Sequence, residues 1–431
     1  MVSEVSRPTQ HEALRWHLFL PVVLLALAGL SATTLGAAWA WLAVFGMWQS
    51  WRQRRQLAHI LQQQPALRLW LLACLLGFAA KAAATLHWHD SWQERHGEIR
   101  LLLGAMACCG LYAYSLSVPG QRFRAVTWLS HALSLAALTG LIWVTWKGRA
   151  STPTHPIPWA GVMAMFSCWL LAVGLDKQYP ARHRKLWLVG GVLAVLAVLA
   201  SQSRGAFVVV LWWAAVWAYR AWRGFRQSAQ KLRSLRRLVG VMATVGLVLV
   251  ALAYTPVLER PRASMRDALN EAQLSLQSPA AGSNSSVGSR MYMWQRSLSA
   301  IAEAPWLGHG GQARRQLLQQ WARDAQSTEI AGLAHLHNEY LNQLIDHGLL
   351  GLASQLAYLL GLLAVVRTFH RSGQHTGALA VAGIGVVYAV GSLSNVNFAH
   401  NYYTAGLSLA CGLAIGLLSK PLCGPTPHAP S

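Results

Sequence analysis

The sequence contains few charged residues, and the acidic ones are the scarcest. Only 12% of its 431 residues are charged, and 14 Asp and Glu stand against 36 Lys and Arg. Enzymes that hold a divalent cation need carboxylates placed close together, but the chain has no Asp-x-Asp or Glu-x-Asp pair. His335 and His337 could bind zinc, yet no obvious third and fourth ligands accompany them. We therefore expect no metal and no other cofactor.

Several common catalytic and binding motifs are also missing. The chain has no Gly-x-Ser-x-Gly nucleophile elbow, no Walker loop and no Gly-x-Gly-x-x-Gly followed by a suitable strand. Its six cysteines fall in apolar runs or near the C-terminus, without a Cys-x-x-Cys pair. These absences argue against a serine hydrolase of that type, a P-loop enzyme and a disulfide framework.

Long apolar runs dominate what is present. Hydrophobic residues make up 54% of the chain, which has 21 Trp, and a membrane-spanning helix needs roughly 17 to 25 mostly apolar residues. We predict an all-α polytopic membrane protein with about twelve transmembrane helices. Their centres lie near Leu24, Ala43, Leu76, Cys108, Leu135, Cys168, Leu193, Trp213, Leu247, Leu356, Ile384 and Leu409.

The net charge of +22 follows the predicted topology and does not indicate nucleic-acid binding. Most basic residues lie in alternate connections, including a cluster from Arg220 to Arg237 for which anionic-lipid or nucleic-acid binding is the alternative. The positive-inside rule then places both termini in the cytoplasm. The opposite short connections hold only Arg95, Arg100, Lys147, Arg149 and Arg204.

One connection is long enough for a subdomain. We expect transmembrane helices 1–9 within residues 1–254, a periplasmic loop subdomain at 255–334, helices 10–12 within 335–421 and a cytoplasmic tail at 422–431. Helical spacing within the loop predicts short helices at 262–276, 290–302 and about 313–325, with a Gly-rich turn at 305–311. Arginines in this loop break the positive-inside pattern, so we expect some of them to be functional.

The segment Ala334-His335-Leu336-His337-Asn338-Glu339-Tyr340-Leu341 marks the point where this loop re-enters an apolar helix. A neutral imidazole, with a solution pKa near ~6.5, can accept a proton from a hydroxyl group at neutral pH. His337 is therefore a candidate general base. The alternative is a boundary histidine that only bonds a backbone carbonyl.

Two helices that run inward from the external face offer anion sites at their N-termini. The tenth predicted helix begins just after His337, and the eighth begins after Ser203-Arg204-Gly205. Unpaired N–H groups and partial positive charge at such ends suit phosphate or pyrophosphate, and Arg204 and Arg290 could add bidentate contacts. Alternatively, Arg204 reaches lipid headgroups and Arg290 is a solvated surface residue. Lys81 should face a polar cavity, where it meets a phosphate or pairs with an acid such as Glu339 or Asp346.

Taken together, these segments resemble the O-antigen ligase family and its polymerase relatives over nearly the whole chain. The similarity rests on Ser203-Arg204-Gly205-Ala206, Ser289-Arg290 with Trp294, Pro305-x-x-Gly308-x-Gly310, His337-Asn338-Glu339-Tyr340-Leu341 and Gly348-Leu349-Leu350-Gly351. Two details depart from the family pattern: His309 lies between the glycines of the turn, and His335 has no clear role.

The resemblance implies transfer of a glycan from an undecaprenyl-pyrophosphate carrier to a lipid A-core sugar at the periplasmic face of the bacterial inner membrane, without metal or nucleotide. It implies that His337 deprotonates the acceptor while Arg204 and Arg290 hold the pyrophosphate. Lys81, Arg266, Tyr340 and His335 are further candidates for substrate binding.

Three other functions remain open. An O-antigen polymerase would transfer to another carrier-linked glycan, and a protein O-oligosaccharyltransferase would transfer to a Ser or Thr hydroxyl. A secondary transporter shares the twelve-helix layout, but such carriers tend to show internal repeats and midplane polar sites. We see no similarity between the halves of this chain, and its polar residues gather at one face.

Overall fold

The computed structural model describes residues 19–89, 96–117, 120–227 and 256–420. This part of the chain is helical and contains no β-strand, which confirms the all-α prediction. Every predicted helix centre in it falls in a helix, and Leu247 lies outside the described residues. Eight of the described helices are long and apolar enough to cross a membrane, so the chain is a polytopic membrane protein.

The helices follow one another closely along the chain. After a helical stretch at residues 19–26, they are α1 (Ala32–Arg52), α2 (Arg54–Gln63), α3 (Pro65–His87), α4 (His96–Ser117), α5 (Gln121–Lys147), α6 (Pro156–Gly174), α7 (Ala181–Ala200), α8 (Val208–Gln227), α9 (Pro256–Gln277), α10 (Pro279–Gly282), α11 (Ser286–Glu303), α12 (Gly310–Asp324), α13 (Thr328–Ala331), α14 (Glu339–Arg371), α15 (His375–Gly391) and α16 (Asn401–Leu418). A 3₁₀ turn, Arg204–Phe207, precedes α8.

Two helices form the centre of the bundle. α6 and α16 are apolar on all sides and almost wholly buried, as expected for helices surrounded by other helices. α6 packs against α7, α15 and α16, while α16 also packs against α4 and α1. His155 directly precedes α6 and His400 directly precedes α16. We call the end of the bundle where both helices begin the His337 face, because His337 lies there too.

A small subdomain on the His337 face has its own apolar core. Residues from α11, α12 and α13 pack together in it, and Leu336 and Ile345 complete it from the next segment. Both residues lie after residue 334, the predicted end of the loop subdomain, so the apolar core extends past that boundary. The helices predicted at 262–276, 290–302 and about 313–325 correspond to α9, α11 and α12, each slightly longer or shifted.

The long helix α14 is broken at Gly348, which has φ 60° and ψ −150°. The sequence pattern predicts a helix that starts at the His337 segment and runs inward. Instead, residues 339–347 form a separate helical segment that contacts both the subdomain, through Ile345, and α3, through Gln343 and Lys81. The apolar part of the helix follows the break. A Cβ at Gly348 would overlap the Trp306 carbonyl group, so only glycine fits this conformation and this close approach.

The partner of this break is the Pro305–Gly310 turn. Leu349 donates its backbone N–H to the Pro305 carbonyl at 2.8 Å, and His309 donates its own to the Ile345 carbonyl at 2.7 Å. Gly308, with φ 67°, would place a Cβ 2.5 Å from that Ile345 oxygen. The two glycine-containing motifs of the sequence therefore form one contact, which sets how the subdomain is joined to the bundle.

Candidate functional site

The backbone that carries His337 is held from several sides. Arg314 of α12 donates to the Ala334 carbonyl and forms a buried ion pair with Asp346 at 2.7 Å. Trp294 of α11 donates its indole N–H to the Leu336 carbonyl at 2.8 Å. Because these bonds come from two helices of the subdomain, small shifts of that subdomain would move His337.

The next residue, Asn338, caps the following helix. Its side-chain oxygen accepts the backbone N–H groups of Tyr340 at 3.0 Å and Leu341 at 3.2 Å, which is the usual role of an N-cap asparagine. His337 itself has φ 52°, a left-handed conformation that non-glycine residues seldom adopt. Such strain persists only where the surroundings enforce it, and it is frequent at functional sites.

The His337 side chain is partly buried and has an unsatisfied ring nitrogen. Its Nδ1 is closed off from solvent and has no hydrogen-bond partner among the described residues. This nitrogen therefore makes no bond to a backbone carbonyl of the described residues. A buried polar atom of this kind calls for a ligand or water as its partner.

His337 belongs to a cluster of four imidazoles, which we call the histidine cluster. The ring centres of His337 and His335 lie 4.4 Å apart, those of His335 and His400 6.4 Å, and those of His400 and His155 6.1 Å. The His337 backbone N–H donates to Nδ1 of His335 at 3.4 Å. The cluster thus joins the segment after the subdomain to the residues that directly precede α6 and α16.

Three arginines add positive charge beside this cluster. The charges of Arg204 and Arg149 lower the pKa of Arg290, after the larger effect of burial. The pKa of Arg149 is likewise lowered by desolvation and then by Arg204. Glu329 and Glu271 oppose this effect at Arg290. These mutual shifts show that the three guanidinium groups share one region and repel one another when it holds no anion.

The same charges act on the histidines. Burial, followed by His335 and Arg290, lowers the pKa of His337 from 6.5 to about 3. Burial, followed by neighbouring histidines and, for His335, also Arg314, lowers the pKa of His335 and His400 to about 4. All three imidazoles are therefore neutral at pH 7. Neutral rings can accept a proton, and the arginines can bind an anion beside them.

Lys81 lies in a different environment from the arginines. It is buried in α3, donates to the side-chain oxygen of Gln343 at 3.0 Å and lies 3.0 Å from Nδ1 of His347. Gln343 in turn donates to Glu339 at 2.9 Å. Lys81 thus reaches Glu339 through one amide, close to the acid pairing considered from sequence. Through Gln343 and His347, Lys81 attaches the first segment of α14 to α3.

The remaining predicted residues have mixed positions. The Tyr340 hydroxyl donates to the Ala389 carbonyl at 2.9 Å, so this side chain attaches α14 to α15. Arg266 is exposed on α9, which packs beside α11, the helix of Arg290. No contact among the described residues brings Arg266 to the histidine cluster.

Sequence reasoning missed Arg149, His155 and His400 as members of the site. One signal was available for Arg149, because it is among the few basic residues in the short external connections, as Arg204 is. His155 and His400 each precede a helix that starts on the same face. Their proximity to His335 depends on how α6 and α16 pack, which residue spacing does not show.

The fold and this site define a class: a polytopic helical membrane protein with clustered arginines and neutral histidines on one face. Residues 189–355 match the family model described as O-antigen ligase, so this part of the chain carries a domain of that family, as the sequence resemblance predicted. Arg204, Arg290 and His337 fall within the matched residues, whereas Lys81, Arg149, His155 and His400 fall outside them.

Two curated proteins are similar to the chain. An uncharacterized protein of Haemophilus influenzae is 25% identical over 216 residues, which cover 49% of this chain and 50% of that protein. The general O-oligosaccharyltransferase of Acinetobacter baylyi is 25% identical over 187 residues, which cover 43% of this chain and 30% of that protein. The chain matches half or less of the length of each relative. Together with the family domain, the second relative supports glycan ligation in general and a glycosyltransferase-type ligase.

Proposed function

We propose that the protein transfers a glycan from undecaprenyl pyrophosphate to a sugar hydroxyl of the lipid A-core at the periplasmic face of the bacterial inner membrane. The observation that carries this proposal is the position of neutral His337, with its unsatisfied Nδ1, beside Arg290, which in turn lies close to Arg149 and Arg204. A base next to a concentration of positive charge suits attack on a carbon whose leaving group is a pyrophosphate. The matched family domain favours this reaction over the transporter alternative.

The proposed step is a single displacement. The acceptor oxygen forms a bond to the anomeric carbon while the bond from that carbon to the pyrophosphate oxygen breaks. His337 takes the proton from the acceptor hydroxyl, and Arg204 and Arg290 neutralise the charge that develops on the departing carrier pyrophosphate. Attack opposite the leaving group inverts the anomeric configuration. No metal takes part in this proposal, since arginine supplies the positive charge.

Donor binding should itself activate the base. A pKa of about 3 makes His337 a weak base when the site holds no anion. The negative charge of a bound pyrophosphate would offset the repulsion from Arg290 and favour the imidazolium form, which raises the pKa of His337. Proton transfer is therefore coupled to an occupied donor site, and an empty site has little ability to deprotonate other hydroxyls.

The decisive experiment uses the purified protein in nanodiscs with a carrier-linked glycan and three separate acceptors: lipid A-core, a second carrier-linked glycan, and a Ser-containing peptide. Extension of the lipid A-core alone supports the proposal. Extension of the carrier-linked glycan alone would identify a polymerase instead. Transfer should proceed equally well in the presence of EDTA. Loss of transfer in EDTA, with recovery when zinc is added, would contradict the metal-free step.

Variants assign the roles within that assay. We expect His337→Gln to abolish transfer while donor binding persists, and His59→Gln, an exposed position on α2, to retain activity. Arg204→Gln and Arg290→Gln should weaken donor binding, with Arg323→Gln, an exposed residue of α12, as the matched control. Near-normal transfer by His337→Gln would refute its role as base.

A second candidate, a protein O-oligosaccharyltransferase, is favoured by one observation. The Acinetobacter baylyi relative bears that name and is 25% identical over 187 residues. Because the donor chemistry would be the same, the described site does not discriminate between a sugar hydroxyl and a Ser hydroxyl as acceptor. Extension of the peptide, with no extension of lipid A-core, would establish this second function.

A further inference from the structure

A cavity of about 330 Å³ lies at the end of the bundle opposite the His337 face. Three helices connect the two ends. α6 begins after His155 and ends at Gly174, next to Leu175 in the cavity lining. α16 begins after His400 and ends at Leu418 in the lining, and α15 begins there at His375. At 1.5 Å per residue, a helix of this length places the cavity roughly 25–30 Å from the histidine cluster. The cavity is therefore a separate site, and its volume is within the roughly 300–1,000 Å³ of ligand pockets.

The lining of this cavity is strongly basic. Arg122, Lys177, Arg220 and Lys420 line it, and Asp176 is the only acidic residue among the described lining residues. These side chains come from four different parts of the chain: the start of α5, the α6–α7 connection, α8, and the residues after α16. A surplus of positive charge in a concave site attracts anions and raises their local concentration.

Asp176 accepts hydrogen bonds from neutral groups, and its single negative charge offsets only part of the four positive charges. Its carboxylate accepts the Thr376 hydroxyl at 2.6 Å, together with the side-chain amide of Gln178 at 2.7 Å and the Gln178 backbone N–H at 3.0 Å. These bonds hold the α6–α7 connection against the first turn of α15. Asp176 thus shapes one wall of the cavity, and the lining keeps an excess of positive over negative side chains.

Arg122 gives a second, independent indication. Its Nε and Nη2 atoms are closed off from solvent and have no hydrogen-bond acceptor among the described residues. Its guanidinium lies 6.0 Å from the centre of the Tyr112 ring, which orients the group but does not accept those in-plane N–H donors. A partly buried guanidinium without an acidic partner is costly unless an anion compensates its charge.

The positive-inside rule accounts for basic residues at this end of the bundle, but it requires only their presence in the connections. It does not require them to converge on one cavity or to leave arginine donors without acceptors. We propose that this cavity binds a phosphate-bearing anion, either the headgroup of an anionic phospholipid or a soluble phosphate compound. The Arg122 side chain turns its guanidinium toward the bound phosphate, and Lys177, Arg220 and Lys420 supply further positive charge from the lining.

The test measures binding without using glycan transfer, so its outcome is separate from that of the proposed function. Thermal unfolding of the whole protein is followed in detergent with inorganic phosphate or with chloride at equal ionic strength. It is then followed in nanodiscs of phosphatidylglycerol or phosphatidylcholine. Stabilisation by inorganic phosphate identifies a soluble ligand, and stabilisation by phosphatidylglycerol alone identifies the lipid.

Four proteins are compared: the unchanged chain, Arg122→Gln, Lys420→Gln and Arg124→Gln. Arg124 is an exposed residue of the same helix that does not line the cavity, so it controls for general surface charge. Loss of one charge-assisted contact at Arg122 or Lys420 should weaken binding roughly tenfold, while Arg124→Gln should retain it. Lys420 is exposed, so its variant tests the site even where Arg122→Gln unfolds.

Two results would overturn the proposal. One is equal stability of the unchanged protein in phosphate and chloride, together with equal stability in the two lipids. The other is an equal loss of the effect in Arg124→Gln and in the two cavity variants, which would indicate attraction by the overall surface charge alone.

Discussion

The buried ion pair between Arg314 and Asp346 offers the sharpest test of how the His337 segment is held. Their side chains are 9% and 4% exposed, and the Arg314 Nε lies 2.7 Å from the Asp346 Oδ1. Arg314 also donates to the Ala334 carbonyl, three residues before His337. Replacing Arg314 by Met removes both interactions while it retains much of the apolar volume.

The magnitude follows from burial. Removal of one partner from a buried pair leaves an uncompensated charge and typically costs about 3–5 kcal/mol. Asn342 also donates to Asp346 at 2.9 Å and offsets part of that cost, so we expect about 3 kcal/mol for Arg314→Met. The double variant Arg314→Met/Asp346→Leu removes the orphaned carboxylate as well and should recover most of the lost stability, because apolar replacements of buried pairs are often neutral.

The two variants should separate stability from activity. Thermal unfolding is measured alongside glycan transfer for each protein, with Arg296→Met as a matched control. Arg296 forms a 2.8 Å ion pair with Asp324 in the same subdomain, but its side chain is 45% exposed, so its loss should cost no more than about 1 kcal/mol. Transfer should stay low in the double variant, because the Ala334 carbonyl still lacks its donor. Full recovery of both stability and transfer would refute the idea that Arg314 positions the His337 segment.

Two further predictions concern backbone and protonation. Gly348→Ala should destabilise the protein by more than about 1–2 kcal/mol in thermal unfolding, since the φ of Gly348 is positive and a Cβ would meet Trp306. The control is Gly385→Ala in α15, where a Cβ meets only ordinary contacts. It should be neutral or stabilising in the same assay. The low folded-state pKa values of His335, His337 and His400, about 4, 3 and 4, mean that the unfolded chain binds protons first. Their contribution to stability should therefore be complete above about pH 6.5 and be lost as the pH falls toward 4, and His335→Gln/His400→Gln should flatten that dependence.

The sequence was sufficient for those parts of the fold that follow from local composition. Apolar runs predicted the described helices from α1 to α16 that cross the bundle, and helical spacing predicted α9, α11 and α12. The break at Gly348 was not predictable in this way, because it depends on the approach of the Pro305–Gly310 turn. A glycine in an apolar run has the same appearance in sequence whether it continues a helix or interrupts one.

In the candidate site, too, the sequence predicted some residues, and others depend on how distant helices pack. Arg204, Arg290 and His337 flank predicted helix starts on one face. In the structure Arg204 lowers the pKa of Arg290, and Arg290 lowers that of His337. Lys81 was selected because a buried lysine is costly, but that cost is met by Gln343 and His347. His155 and His400 join the site only because α6 and α16 pack side by side, and 245 residues separate them in the chain.

The coupling between donor binding and the pKa of His337 makes a kinetic prediction that a structural role would not. The acid limb of kcat/KM reports the free protein, whereas that of kcat reports the complex with its substrates. Because Arg290 lowers the pKa of His337 and a bound pyrophosphate opposes that effect, the limb in kcat/KM should lie at lower pH than the limb in kcat. Arg290→Gln should move the kcat/KM limb to higher pH by removal of the charge, while Arg290→Lys, which keeps the charge, should leave it in place. A kcat/KM limb near pH 6.5 that is the same in all three proteins would mean that the group titrating in the free protein lies outside the field of Arg290, and His337 would lose its assignment as the base.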